Sequence, residues 1–402
     1  MQNSDRMIIR ELAKQYVAIA NSEEQKRAHR RMKDSNDLVI VRPPVLIDEI
    51  PWHELTSDPD LICRCQDPLA RRTEWFFRRS IFQKKHFHCD ILMPDYWKVR
   101  MSYEISPLGL EKQVVRSASG SKSFTDILEE EDALEQITEP TFLPRPDLDE
   151  HNMNFFTELF HDIMPVKLVG ANCMYMQFWD DISELRGVSP IYEDMYDRPE
   201  YLHRIMEKFV HRANARMDFI EQRFHVDNDP ISLHCTPGMI SGLAEDGLKA
   251  TWYRGMAQPF SCVSPAMFKE FEFDYIKPLA ERCAYTYYGC CEPLDTRIEM
   301  LKEIRNLRKI GVSPWANEEI CAEQIGRNYI FSRKPNPAHV AYSADPEVIR
   351  KETENTVNLC LKYGCPLEFV LKDITTVSRK PENLIIWADT VSNILDQYYG
   401  KA

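Results

Sequence analysis

The chain has 402 residues and a mass of 47.2 kDa, with 44% hydrophobic and 28% charged residues. Its net charge of −13 argues against nucleic-acid binding, because an acidic surface repels phosphate backbones. No apolar run approaches the roughly 20 residues that a membrane span needs, and the N-terminal residues lack a signal-peptide core. We therefore expect a cytoplasmic protein whose 12 cysteines are reduced thiols.

The N-terminal part predicts helices and two strands. Residues 1–37 read as a helical extension, an amphipathic helix followed by a charged turn, and 38–50 as the first strand. A helix is predicted near 68–84 and a short strand at 89–93. Residues 105–150 hold an acidic run and a proline-rich run, which predicts a surface insertion or a lid over an active site.

From residue 155 onward strands and helices alternate. The predicted strands are 166–172, 230–235, 285–291, 309–314, 329–334 and 367–373. The predicted helices are 199–224, 265–283, 295–308, 317–326, 346–363 and 381–398. Eight strands with intervening helices favour a single-domain (β/α)8 TIM barrel, an α/β fold with its active site at the carboxyl ends of the strands. A doubly wound open sheet is the alternative, although the chain lacks the G-x-G-x-x-G fingerprint.

The residues directly after the predicted strands are therefore the candidate site residues. They include Asp90, Trp97, Asn172, Trp179, His234, Tyr287, Tyr288, Glu292, Trp315, Glu318, His339 and Asp373. The aromatic members suit a flat apolar substrate, or they pack in the barrel core. We assign Trp97, Trp179, Asn172 and Trp315 to substrate binding.

Cysteines are the least usual feature of these strand ends. Cys290 and Cys291 are adjacent to each other and to a glutamate, so they either hold a soft or borderline metal such as zinc or pack in the barrel wall. In the pair His234-Cys235 only one side chain can face the interior of a strand, because neighbouring residues point to opposite faces. The same limit applies to Cys89 and Asp90.

Four segments in order resemble the uroporphyrinogen decarboxylase superfamily, best over about 155–398. They are HCDILMP (88–94), YGCCEPL (288–294), SRKPNPAHVAYSADPEVIRKE (332–352) and VLKDITTVSRKPENL (370–384). The resemblance implies the superfamily's barrel and places Asp90 on the active-site aspartate. It also implies a monomer or homodimer. Two chemistries occur in the superfamily: decarboxylation without a cofactor, and methyl transfer to or from a corrinoid protein, usually with zinc.

The residues favour the corrinoid-dependent methyltransferase branch. The decarboxylases' arginine-rich N-terminal segment is absent, and Arg42 alone cannot grip several carboxylates. Tyr288 stands where the methyltransferases have a zinc histidine, Cys290 keeps the cysteine, and Asp373 replaces the last cysteine. Glu303, Glu318 and His339 match the spacing of a Glu…Glu…His pattern in enzymes of anaerobes that cleave methyl ethers. The candidate zinc ligands are Cys290, Glu318, His339 and Asp373.

The expected reaction is O-demethylation: transfer of a methyl group from a small donor, such as a methoxyphenol, to Co(I) of a corrinoid (cobalamin) partner protein. A phenolate is a poor leaving group, since a phenol has a pKa near 10, so the protein must supply a proton or a Lewis acid. Candidate proton donors are Asp90, His234, Tyr287, Tyr288 and Glu292. Two alternatives stay open: a decarboxylase of an aromatic or tetrapyrrole acid, and a binder of a corrinoid or tetrapyrrole without catalysis.

Overall fold

The computed structural model describes residues 1–116, 122–171, 173–223 and 233–400. It is a mixed α/β structure whose centre is a parallel sheet with seven strands in the described residues. The strands of the chain are β1 (Val45–Ile47), β2 (Trp97–Arg100), β3 (Tyr103–Ile105), β4 (Val114–Arg116), β5 (Lys122–Phe124), β6 (Phe142–Pro144), β7 (Val166–Val169), β8 (Cys173–Met176), β9 (Trp252–Gly255), β10 (Tyr285–Tyr288), β11 (Leu307–Val312), β12 (Ile330–Arg333) and β13 (Leu367–Leu371).

The central sheet has the strand order β1-β13-β12-β11-β10-β9-β8. All of its pairs are parallel, so the carboxyl ends of all seven strands lie at one edge. The sheet is strongly curled. In a flat sheet β10 and β13 would lie about 14 Å apart, yet Lys372 Nζ after β13 is 2.9 Å from Cys290 Sγ after β10. The expected α/β class is confirmed, and the curled sheet is compatible with a barrel-like fold.

The helices lie between and outside the strands. They are α1 (Asn3–Ala20), α2 (Glu23–Asn36), α3 (Pro68–His86), α4 (Pro146–Phe160), α5 (Phe178–Arg186), α6 (Val188–Asp197), α7 (Pro199–Arg223), α8 (Pro265–Phe268), α9 (Asp274–Ala280), α10 (Ile298–Leu301), α11 (Glu318–Ile325), α12 (Ala338–Ala341), α13 (Pro346–Tyr363) and α14 (Glu382–Tyr399). Helix α13 begins as its sequence predicts: Asp345 accepts a hydrogen bond from the backbone N–H of Glu347, and Pro346 fills the first position. Among the described residues no helix is both long and apolar enough to cross a membrane.

One predicted strand is wrong, and a second is absent from the described part of its range. Residues 89–93 form no regular strand, although the N–H of Asp90 donates to Val45 O at 2.6 Å, so this segment runs beside the open edge of β1. Residues 233–235 lie in a turn closed by a bridge between Leu233 and Thr236, and 230–232 lie outside the described residues. The strand between β8 and β10 is instead β9. Its sequence Trp-Tyr-Arg-Gly contains no apolar run, so the hydrophobic pattern did not predict it.

The N-terminal residues form two helices. The charged segment predicted as a turn is α2, because Ser22 caps its first turn by accepting from the N–H of Gln25 at 3.2 Å. Helix α1 packs mainly on α3. The predicted helix 295–308 is also wrong over most of its length, since only α10 is helical and β11 begins at Leu307.

The segment 105–150 packs on the body of the protein in its described residues. Leu128, Leu134 and Ile137 are buried in the main hydrophobic core. The hydroxyl of Tyr201 on α7 donates to Leu128 O at 2.7 Å, and Arg204 on α7 pairs with Glu131 at 2.7 Å. These contacts attach the segment to the outer surface of α7. Residues 117–121 lie outside the described part of the chain.

Candidate functional site

The concave face of the sheet is lined by charged side chains. Lys309 on β11 and Glu368 on β13 are both fully buried, with Nζ 2.8 Å from Oε2. Glu368 also accepts hydrogen bonds from Ser332 and Thr236 at 2.5 and 2.8 Å. Burial lowers the pKa of Lys309 to about 8, although the Glu368 carboxylate opposes that shift. Every charged group in this network has a partner, so the network is rigid. It lies below the mouth, the name used here for the opening at the carboxyl ends of the central strands around Cys290.

Two further cations border Tyr287, which also faces inward. Lys334 Nζ donates to the Tyr287 hydroxyl at 2.6 Å, and the guanidinium of Arg254 on β9 lies 3.9 Å from the Tyr287 ring centroid. Burial raises the pKa of the Tyr287 phenol, although both cations oppose that shift. The hydroxyl is thus a neutral group that is held between Lys334 and Ser332.

Cys290 lies at the centre of the mouth. Gly289, at a φ of 96°, turns the chain out of β10, a backbone conformation that L side chains rarely adopt. Cys290 Sγ then lies 2.9 Å from Lys372 Nζ. Hydrogen bonds from Cys235 and Cys291 hold the pKa of the Cys290 thiol far below its usual range, and His234 and Arg254 add to this shift against the opposing effect of burial. These contacts favour the thiolate form of Cys290, with the Lys372 ammonium as its counter-ion.

Glu292 fixes the loop that carries this thiolate. One carboxylate oxygen accepts the N–H of Cys290 at 3.0 Å, and the other accepts the N–H of Ala257 after β9 at 3.2 Å. Burial raises the pKa of Glu292 to about 7, and the negative charge of Cys290 adds to that shift. The carboxyl group ties two strand ends together and has both oxygens engaged, so it positions Cys290.

Asp48, His234 and Cys235 form a group of metal-ligand type. Each offers a ligand atom, and these atoms lie within 4.8 Å of one another. Cys235 and His234 both lower the pKa of the Cys290 thiol, so that thiol lies beside this trio. In the described residues it is the one group of three or more such side chains with this spacing. Sulfur, nitrogen and oxygen donors together suit zinc.

Three strained residues surround the same thiolate. Cys235, Asp373 and Glu49 have φ angles of 69°, 59° and 53°, in the left-handed region that non-glycine residues seldom occupy. The Asp373 carboxylate accepts a hydrogen bond from Cys291 Sγ at 2.8 Å, and the backbone N–H of Asp373 donates to Glu49 Oε2 at 2.8 Å. Such strain persists only where surrounding contacts impose it, and it clusters at functional sites.

A cavity of about 220 Å³ adjoins the trio. Its wall includes Asp48, Asp90, Cys235 and Thr236, together with apolar side chains of β1 and of the segment 89–92. The cavity lies beside β1, which is an edge strand of the central sheet in the described residues. The trio therefore has space for a small ligand beside it.

The structure brings several predicted residues together and separates others. His234, Tyr287, Glu292, Cys290 and Asp373 surround the mouth. Tyr288 points to the outer side of β10, as alternation requires, and its hydroxyl donates to buried Glu272 at 2.9 Å. It cannot act as a proton donor in the mouth.

Asp90 is held by two arginines. Its carboxylate pairs with Arg31 and accepts the N–H of Val45 at 2.9 Å, and Arg42 lies 3.8 Å away. Val45 is the first residue of β1, so these contacts lie toward the amino end of that strand. Asp90 also lines the cavity beside Asp48, so its role as a site residue stays a prediction.

The aromatic residues assigned to substrate binding lie elsewhere. Trp97 packs among Phe76, Phe77 and Phe160 in a separate cluster, because β2 pairs with β7 outside the central sheet. Trp179 is fully buried in α5 and donates to Phe271 O at 3.0 Å. Trp315 is 69% exposed at the carboxyl end of β11. Asn172 lies outside the described residues.

Glu318 and His339 belong to a different ion-pair group. Arg333 lies 2.7 Å from Glu318 and 3.0 Å from Glu352, and His339 Nδ1 lies 3.0 Å from Glu352. In the described residues their ligand atoms form no common group with Cys290 and Asp373. The guanidinium of Arg333 already compensates these acids, so they make no zinc site with Cys290.

Sequence reasoning missed four residues of the mouth: Asp48, Arg254, Lys372 and Cys235. Cys235 was missed because it was not expected to face the site together with His234. Lys372 directly precedes the predicted Asp373, and Asp48 lies within the first predicted strand, so their positions were available from the pattern. Arg254 had no signal, because β9 was not predicted. His234 and Cys235 both reach the mouth because they lie in a turn, where strand alternation does not apply.

Neither a scan against protein-family models nor a search of curated proteins gives a match to the chain.

Proposed function

We propose that the protein transfers a methyl group from a small methylated donor, such as an aryl methyl ether, to Co(I) of a partner corrinoid protein. The proposal rests on the contact between two segments that resemble the methyltransferases, 288–294 and 370–384. Cys290 and Cys291 lie against Lys372 and Asp373, 82 residues further along the chain, at the carboxyl ends of parallel strands. That edge is where barrel enzymes hold their active sites.

The size of the cavity favours a small donor over a tetrapyrrole. Its volume of about 220 Å³ is below the roughly 300–1,000 Å³ of pockets for drug-sized ligands. A single methoxylated ring is a better match for such a space than a macrocycle. Its lining by both apolar side chains and the Asp48 carboxylate suits a ring that carries a polar oxygen.

The trio of Asp48, His234 and Cys235 fits a zinc ion by the chemistry of its donors. Cys290 lies beside this trio without belonging to it, so three side chains of the chain would hold the ion. Bound zinc would supply a Lewis acid for the ether oxygen. The trio replaces Cys290, Glu318, His339 and Asp373 as the proposed ligands.

The chain's own residues perform the remaining tasks. Among the predicted proton donors, His234 belongs to the trio, lies beside Cys290 and is only half-buried, with its ring 5.1 Å from that of Tyr175. Without zinc, a protonated His234 would donate to the departing phenolate oxygen. Lys372 keeps the site electrically balanced by pairing with Cys290. Chelation distinguishes the two forms, because only the zinc form loses activity on metal removal.

The partner would approach the carboxyl edge of the sheet. Two large aromatic side chains are exposed there: Trp315 after β11, and Tyr342 beyond β12, which is 75% exposed. Aromatic residues are enriched where proteins bind one another. Their position beside the mouth supports docking of the corrinoid protein at this face.

The test is anaerobic methyl transfer from methoxyphenols, methylamines and methyl thioethers to a protein-bound Co(I) corrinoid, followed by visible absorption. We expect methylation with methoxyphenols. His234→Gln should lower kcat by about 10²–10⁴-fold with little change in KM. His203→Gln is the matched control, because His203 lies on α7 beside Tyr275. No transfer from any donor to a competent corrinoid protein would refute the proposal.

A second candidate is decarboxylation of a small aromatic acid. The observation in its favour is the charge of the concave face, where Arg254, Lys309, Lys334 and Lys372 are all buried. Among them Arg254 has two nitrogen donors without a partner in the described residues, and these would hold a carboxylate substrate. Release of CO2 from an aromatic acid in the absence of any corrinoid would identify this reaction.

A further inference from the structure

The guanidinium of Arg254 has an unused pair of donors inside the mouth. Arg254 is fully buried, and one Nη donates to Gly255 O at 2.7 Å. Its Nε and Nη2 are shielded from solvent and have no hydrogen-bond partner among the described residues. A buried charged donor without a partner is costly, so native sites normally fill it with water or a ligand.

The identity of the two atoms specifies the ligand. Nε and Nη2 lie on one edge of the planar guanidinium, and their N–H groups point in parallel. An edge of this kind binds the two oxygens of one carboxylate through two parallel hydrogen bonds. The Tyr287 ring covers the flat face of the same guanidinium at 3.9 Å and holds its orientation. The free edge is therefore a pre-oriented carboxylate receptor.

The neighbouring lysines are already paired, whereas Arg254 is not. Lys309 lies 2.8 Å from the Glu368 carboxylate, and Lys372 lies 2.8 Å from the Asp373 carboxylate. The free edge of Arg254 has no such carboxylate partner among the described residues. Burial of an unpaired charge is strongly unfavourable, so an anionic ligand at this edge would stabilise the site.

Arg254 lies on the same face of the sheet as two aromatic residues of the mouth. It pairs in register with Tyr175 on β8 and with Tyr287 on β10, and the ring of Tyr175 is half-buried. We propose that Arg254 binds a carboxylate group of the methyl donor, which makes the physiological donor an anionic methoxyarene acid. That the ligand is the methyl donor rests on the proposed function, whereas the binding of a carboxylate by Arg254 does not.

Binding without turnover tests the subsite. Calorimetric titration would compare 4-methoxybenzoate with the neutral 4-methoxybenzamide, which has nearly the same shape, in the absence of corrinoid. We expect the acid to bind at least tenfold more tightly to the wild-type protein. Arg254→Gln should reduce that ratio to about one. Arg308→Gln is the control and should leave it unchanged, because Arg308 stacks on Tyr285 at 4.8 Å at the amino end of the strands.

If Arg254→Gln fails to fold, the comparison of acid and amide binding to the wild-type protein still tests the subsite. Arg254→Lys keeps the positive charge but loses the two parallel N–H donors, so it should bind the acid with intermediate strength. Equal affinity for acid and amide, or stronger binding of inorganic phosphate than of the acid, would overturn the carboxylate subsite. Preferential acid binding with no methyl transfer would retain the subsite and remove the proposed function. Methyl transfer at equal rates from methoxybenzoates and neutral methoxyphenols would retain the function and remove the subsite.

Discussion

The ionisation of Cys290 provides a quantitative test of the site. Lys372→Met removes the ammonium group and keeps a side chain of similar length. The Nζ–Sγ distance is 2.9 Å, so two unit charges at an effective dielectric constant of about 20 attract by about 6 kcal/mol, which corresponds to about 4 pKa units. Lys372 also pairs with Asp373 at 2.8 Å. Because this second partner takes part of the charge, we expect the pKa of Cys290 to rise by about 2–4 units.

The assay is an acid titration of thiolate absorbance in the ultraviolet. Each protein is measured against the same protein carrying Cys290→Ser, so the other cysteines cancel. Lys362→Met is the control, since Lys362 pairs with exposed Glu319 at 2.7 Å, away from the mouth. If the titration midpoint of Cys290 moves by less than one pH unit in Lys372→Met, the ammonium does not hold the thiolate and the electrostatic reasoning fails.

Three further predictions concern metal, stability and pH. Cys235→Ser should lower the zinc content of protein purified with zinc, measured by elemental analysis. Cys262→Ser is the control and should not lower it, because Cys262 is an exposed cysteine. Equal zinc content in both variants would exclude Cys235 as a ligand. Lys309→Met should cost about 3–5 kcal/mol of unfolding free energy in urea, because it leaves the buried Glu368 short of its nearest cation; a cost below about 1 kcal/mol would show that Lys334 compensates alone. The raised pKa of Glu292, about 7 against 4.5 in the unfolded chain, means that the unfolded state loses its proton first. Stability should thus fall by up to about 3 kcal/mol as pH rises from about 4.5 to 7, and Glu292→Gln should remove this fall; an unchanged pH profile of unfolding would contradict the burial argument.

The sequence by itself determined the local elements and the class of fold. Helix α13 matches its predicted range of 346–363 because Asp345, Pro346 and Gly364 mark its ends by local chemistry. The strands β10 to β13 were recognisable as short, mostly apolar runs between helices, and their alternation indicated a parallel sheet. Position after a strand was enough to select Cys290, Glu292 and Asp373, because carboxyl ends of parallel strands meet at one edge.

Only the tertiary structure decided which of these residues act together. Strand alternation sends Tyr287 into the mouth and Tyr288 outward to Glu272, and no local pattern reveals which face is concave. The strand β9 carries a buried arginine that is tolerated only because Tyr287 covers it and the mouth surrounds it, so propensity could not find it. The Cys290 thiolate depends on Lys372 and Cys235, which are 82 and 55 residues away in sequence. Such contacts arise from the curl of the sheet, and that curl is a property of all seven strands packed together in the described structure.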